Sequence, residues 1–130
     1  MSYVRGKRLD IDDDLYRIAP LNATVALTYE RPRWFVTVEG VCYDKQDNVS
    51  VTNGETPSSG YGLMNLFGEV SLGQVKLATA TLRAGLSNLL DETYRPHLNG
   101  INRVRESDVG IGERLPGPGR NVFASLGIMF

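Results

Sequence analysis

From Leu21 to Glu30 the chain alternates without a break. Leu21, Ala23, Val25, Leu27 and Tyr29 fall on one face of an extended segment, and Asn22, Thr24, Ala26, Thr28 and Glu30 fall on the other. After Arg31-Pro32 a second run sets Trp34, Val36, Val38, Gly40 and Cys42 against Phe35, Thr37, Glu39, Val41 and Tyr43. From Gly62 a third sets Met64, Leu66, Gly68, Val70 and Leu72 against Asn65, Phe67, Glu69 and Ser71. After Gly73-Gln74 a fourth sets Ala78, Ala80, Leu82, Ala84 and Leu86 against Thr79, Thr81, Arg83 and Gly85. The last, Arg120 to Phe130, sets Val122, Ala124, Leu126, Ile128 and Phe130 against Asn121, Phe123, Ser125, Gly127 and Met129. A weaker strand is predicted at Ser2 to Leu9. The apolar faces carry no charge at all, whereas Glu30, Glu39, Glu69 and Arg83 lie opposite.

The connections sharpen this picture. Arg31-Pro32 and Gly73-Gln74 are tight, the other connections are long, and about 30 structureless residues separate Asn88 from Gly119, more than a compact soluble domain ordinarily holds. Alternating short and long connections between strands of ~9–11 residues, apolar on one face and polar on the other, describe a transmembrane β-barrel. The predicted fold is an all-β, antiparallel up-and-down meander of about six strands, a segment of such a barrel. In that arrangement Tyr29, Trp34 and Phe130 mark one rim, and Tyr43 and Tyr61 the other. A soluble antiparallel sandwich or small barrel serving as a binding module is the alternative, because alternation suits it equally. Gly and Ala at many apolar positions fill a soluble core poorly.

Composition removes several classes. With 14 Lys plus Arg against 15 Asp plus Glu, the net charge of -1 offers no general attraction to nucleic acid. No apolar stretch reaches the ~20 residues of a spanning helix. The segment Met1 to Arg8 lacks the apolar core of a signal peptide. Cys42 is the only cysteine, so neither a disulfide framework nor a thiolate metal cluster is expected. No repeat or linker divides residues 1–130.

Several motifs, taken in order, carry a resemblance. They are Leu86-Ser87-Asn88-Leu89-Leu90-Asp91-Glu92-Thr93-Tyr94, Pro96-His97-Leu98-Asn99, Gly112-Glu113-Arg114-Leu115-Pro116-Gly117-Pro118-Gly119-Arg120, and a terminal Phe130. Together they resemble the carboxyl end of TonB-dependent outer-membrane receptors, with Leu90 in place of the usual Phe. Upstream, Tyr16-Arg17-Ile18-Ala19-Pro20-Leu21, Lys45-Gln46-Asp47, Gly54-Glu55-Thr56-Pro57 and Gly60-Tyr61 resemble earlier landmarks of the same family. The end Ile128-Met129-Phe130 departs from the aromatic residue common two places before the terminus.

The resemblance implies a C-terminal fragment of a receptor barrel in the bacterial outer membrane, with the plug domain and earlier strands outside these residues. It implies uptake of a scarce nutrient: a ferric siderophore, haem, cobalamin or a metal chelate. The implied partners are the remainder of the receptor, outer-membrane lipid and the barrel assembly machinery, with TonB reached only through the missing N-terminal part. No cofactor and no nucleic acid is expected. Such transporters are 22-stranded barrels with a plugged lumen, so six strands with two open edges should neither insert nor transport alone.

Candidate chemistry is sparse. Asp10, Asp12, Asp13 and Asp14 could attract a divalent cation but lack Ca-loop spacing, and read as a solvated acidic loop. His97 has no second His or Cys nearby and reads as an ordinary loop histidine. The glycines from Gly110 to Gly119 read as turn-makers, since no Lys-Ser/Thr follows them. Asn48-Val49-Ser50 fits a glycosylation sequon, which means little in a bacterial setting. No nucleophile elbow or ordered triad appears, so no enzyme is read. Glu39, Glu69 and Arg83 are candidate lumen-facing wall residues. Leu126, Ile128 and Phe130 on the C-terminal strand are the candidate assembly signal, through which an exposed edge would be recognised by strand addition.

Overall fold

The alternating runs become five strands in the computed structural model, which describes every residue except Lys76 and Leu77 and no side chain of Gln74 or Val75. They are β1 (Asn22–Arg31), β2 (Trp34–Tyr43), β3 (Tyr61–Val75), β4 (Ala78–Ser87) and β5 (Asn121–Met129), with a 3-10 turn at Val51–Asn53. Each strand pairs with its neighbour in sequence, in the order β1-β2-β3-β4-β5, so the fold is an all-β antiparallel meander.

The weak strand predicted at Ser2 to Leu9 does not form. Ser2 bridges to Asn22 whereas Lys7 bridges to Asp14, so the segment divides between two partners and cannot run along one strand. The hairpin turn expected at Gly73-Gln74 is also displaced. Gly73 pairs with Ala80 and Gln74 with Thr79, so the ladder continues through the expected turn to Val75 and Ala78, and Lys76 and Leu77 lie outside the described residues. Gly73 instead sits at a register shift that begins at Ser71, with φ 89°. It supplies the left-handed conformation that an extra strand residue requires, so its signal was a bulge and not a turn.

Register decides which side chains share a face. Leu66 faces Leu86, Gly68 faces Ala84, and Val70 faces Leu82. Across the next ladder Leu82 faces Leu126, Leu86 faces Val122, and Ala80 faces Ile128. On the other face Glu69 opposes Arg83, and Gly85 lies between Phe67 and Phe123. A Cβ at Gly85 would stand 2.5 Å from Cζ of Phe123 and 2.9 Å from Cβ of Phe67, so the glycine makes room for both aromatic side chains. Thr28 and Thr37 on this face share a 2.7 Å hydroxyl contact, and Asn65 donates to Glu39 at 2.8 Å. The faces read from the sequence are the faces the ladders build.

The chain divides into two compact units. The sheet unit holds Thr24–Val41, Leu63–Glu92 and Pro118–Phe130, and the loop unit holds Met1–Ala23, Cys42–Gly62 and Thr93–Gly117. Among the described residues the only buried hydrophobic residue is Val49, in the loop unit, so no second layer covers the apolar face of the sheet. The sandwich alternative requires such a layer. The connection after Asn88 is not structureless either. Ile101 bridges to Arg114, the Gly112 N–H donates to the Asn102 carbonyl and the Asn102 N–H to the Glu113 carbonyl, around a turn where Gly112 has φ 81°.

Candidate functional site

The sheet unit offers two chemically distinct surfaces. Its apolar face carries Val25, Leu27, Leu82, Val122, Leu126 and Ile128 in the open, with Leu27 77% and Val122 70% exposed. A shallow trough of about 390 Å³ crosses it, lined by Trp34, Val36, Leu66, Gly68, Val70, Leu82 and Ala84 among others. Contiguous exposure of this kind marks a surface that meets an apolar medium or partner, because water penalises each square ångström of it. Tyr29 and Trp34 close one end of the face with ring centroids 5.6 Å apart, and the Arg31 guanidinium lies 5.0 Å from the Tyr29 ring.

The opposite face holds the predicted wall residues. Glu69 pairs with Arg83 from the adjacent strand, and Glu39 accepts from Asn65. Leu126 and Ile128 lie on β5, an outer strand of the sheet, and Phe130 just beyond it is 97% exposed.

Residues of the quoted motifs have structural work in the sheet unit. Asn88, nearly buried, takes φ 51°. Its backbone N–H donates to Asn65 Oδ1, its side-chain amide donates to the Glu92 and Pro118 carbonyls, and its Oδ1 accepts from the Glu92 N–H. Asp91 accepts from the Arg120 N–H at 2.8 Å. The two residues thus tie the exit from β4 to the entry into β5.

The loop unit is held mainly by buried polar groups. Asp13 accepts from the hydroxyls of Ser50 and Thr52 and from the Val51 and Thr52 N–H groups. The Thr52 hydroxyl, followed by that of Ser50, holds the Asp13 carboxyl well below the usual carboxylate range. Asp13 is therefore a buried connector and not part of a solvated acidic loop. The sequence pattern could not show this, because its donors lie 37 to 39 residues away. Asp10 pairs with Arg8 and Asp12 with Lys7, so three of the four acids have partners of their own.

His97 is buried too, which corrects its reading as an ordinary surface-loop histidine. Its Nδ1 lies 2.9 Å from the Ser58 hydroxyl and its Nε2 lies 3.1 Å from Glu55. A neutral ring satisfies both by accepting at Nδ1 and donating from Nε2. Glu55 also accepts from the Arg17 and Ser50 N–H groups, so one carboxylate joins three segments of the loop unit. Arg17 donates to the Leu98 carbonyl, and Arg114 donates to the carbonyls of His97, Asn99 and Thr56. None of Glu55, Arg17 or Arg114 was singled out by spacing, since each draws its meaning from partners distant in sequence.

Tyr43, Tyr61 and Tyr94 form a ladder with centroids 4.8 and 4.7 Å apart. Gly117 lies against the Tyr94 ring, where a Cβ would come within 2.2 Å. Tyr43 and Tyr61 were expected as rim markers. Tyr43 ends β2 and Tyr61 begins β3, and half-buried they stack with Tyr94 within the loop unit.

Burial, reinforced by the Arg114 guanidinium, pushes the His97 imidazole below its ordinary 6.5, against the opposing pull of Glu55. The folded chain then binds fewer protons than the unfolded one. The stability held by neutral His97 is complete above pH 6.5 and is lost as pH falls through the lower folded value. Amide protection in residues 93–117, corrected for the intrinsic exchange rate, should therefore fall on acidification below 6.5, and His97→Gln should flatten that dependence. An exchange rate with the same pH profile in both proteins would contradict this.

No family model matches the chain, and no curated protein matches it. A solved structure described as the copper transporter OprC does, with a TM-score of 0.80 and 26% sequence identity. The similarity covers 92% of this chain and 18% of that one, so the chain corresponds to less than a fifth of that transporter's length.

Proposed function

We propose that this chain is a section of the wall of an outer-membrane transport barrel of the TonB-dependent receptor class. Its apolar face would meet lipid, and the face bearing Glu39, Glu69 and Arg83 would meet the lumen. The observation that carries the reading is a single meander with an uncovered apolar face and a polar opposite face. Lipid accepts such a face where water does not, and a barrel closes the free edges of β1 and β5 against further strands. The likeness to a stretch of a copper transporter supports the same reading, as do the motifs around Asn88 and Asp91.

The remaining strands, the plug and the TonB-contacting segment would belong to the rest of that receptor. Leu126, Ile128 and Phe130 would present the edge recognised by the assembly machinery. The solute would be a scarce nutrient carried as a metal complex: a ferric siderophore, haem, cobalamin, or a chelate of a metal such as the copper of the matched transporter.

Detergent dependence tests the reading. The chain should be held in solution by non-ionic micelles and should aggregate when detergent is withdrawn. A monomer equally well folded in plain buffer would contradict it.

A further inference from the structure

The loop unit contains a cavity of about 360 Å³ whose lining includes Tyr16, Arg17, Glu55, His97, Arg103 and Arg114. Its charge is unbalanced. Three guanidinium groups face one carboxylate, and the neutral His97 adds nothing. Among the described residues none of the three arginines forms an ion pair with a carboxylate, although six Lys or Arg pairs with a carboxylate occur elsewhere. Arg17 and Arg114 are instead fixed by backbone carbonyls, which hold a guanidinium in place without cancelling its charge. The one carboxylate, Glu55, is committed to His97 and to the Arg17 and Ser50 N–H groups. Uncompensated, positioned guanidinium groups around a concavity concentrate anions there, and their planar forks match carboxylate oxygens.

We propose that this cavity binds a small anion bearing several separated carboxylates, gripped by Arg17, Arg103 and Arg114. Three cations spread around one cavity are met best by several carboxylates in one molecule, whereas a compact anion reaches fewer of them. As the entry point for a transported chelate the site rests on the transport reading above. As an anion site it stands on the cavity alone.

The test uses the full chain in non-ionic micelles at low salt, titrated calorimetrically with citrate, inorganic phosphate and glycerol. Citrate should bind saturably, phosphate about tenfold more weakly, and glycerol not at all. Arg103 is exposed and makes no side-chain hydrogen bond among the described residues, so Arg103→Gln should leave the loop unit folded and weaken citrate by about tenfold or more, with Arg103→Lys recovering part of the loss. Absence of citrate binding by the folded chain would overturn the proposal. Unchanged affinity in Arg103→Gln would do the same, and phosphate binding as tightly as citrate would overturn the multi-carboxylate assignment. A chain that needs detergent yet ignores citrate loses this site but keeps the wall reading. One that binds citrate in plain buffer keeps the site and loses the wall.

Discussion

Leu82→Arg should cost the chain about 2–4 kcal/mol of folding stability in micelles, the range found for a basic residue on the lipid face of a barrel near mid-membrane. Leu82 sits in the middle of β4, between Val70 on β3 and Leu126 on β5, and all three share the apolar face. If this face meets lipid, as proposed, a guanidinium there would have no hydrogen-bonding partner in the apolar medium, and its long side chain could only bend toward an interface. Thr81→Arg is the matched control. Thr81 lies between Ser71 and Gly127 on the opposite face, where a cation stays in water and the change should fall within about 0.5 kcal/mol. Urea unfolding of both variants in micelles reads the difference. If Leu82 faces water, Leu82→Arg will cost nothing and will improve solubility instead.

Glu55→Ala should be the most damaging single change in the loop unit, lowering its local stability by roughly 3 kcal/mol. It strands three donors at once: the His97 ring N–H and the backbone N–H groups of Arg17 and Ser50. Each buried donor left without an acceptor costs about 1–3 kcal/mol, and only those that regain water escape it. His97 and Ser50 are nearly sealed from water, so they carry most of the loss. Amide exchange should accelerate throughout residues 44–60 and 93–117 while the β3-β4-β5 ladders stay protected. Uniform destabilisation of loops and sheet together would show instead that Glu55 acts on the whole chain.

The strands were legible because their information is local. A period of two, repeated five times with charges held to one side, fixes both the strand positions and their faces, and the ladders through Val70, Leu82 and Leu126 keep that assignment. Boundaries were less legible where one residue type has two uses. Glycine serves turns and bulges alike, so Gly73 pointed to a hairpin where the β3-β4 ladder still runs on to Val75. The loop unit was almost illegible. Asp13 looked like one of four equivalent acids and His97 like a lone surface histidine, because their partners Ser50, Thr52, Glu55 and Ser58 lie tens of residues away. Buried polar networks have no periodicity to betray them. The exception is the stretch around Asn88 and Asp91, where motif likeness drew attention to residues that anchor the turn after β4.

Trp34 tests the central claim most directly, as the only tryptophan in the chain and a residue of the apolar face that lines its trough. Its fluorescence should be recorded in micelles, with a brominated detergent as the apolar quencher and iodide as the aqueous one. If this face meets lipid, the emission will be blue-shifted, strongly quenched by bromine and nearly blind to iodide. Emission that iodide quenches freely and bromine leaves unchanged would place the face in water and contradict the barrel-wall account.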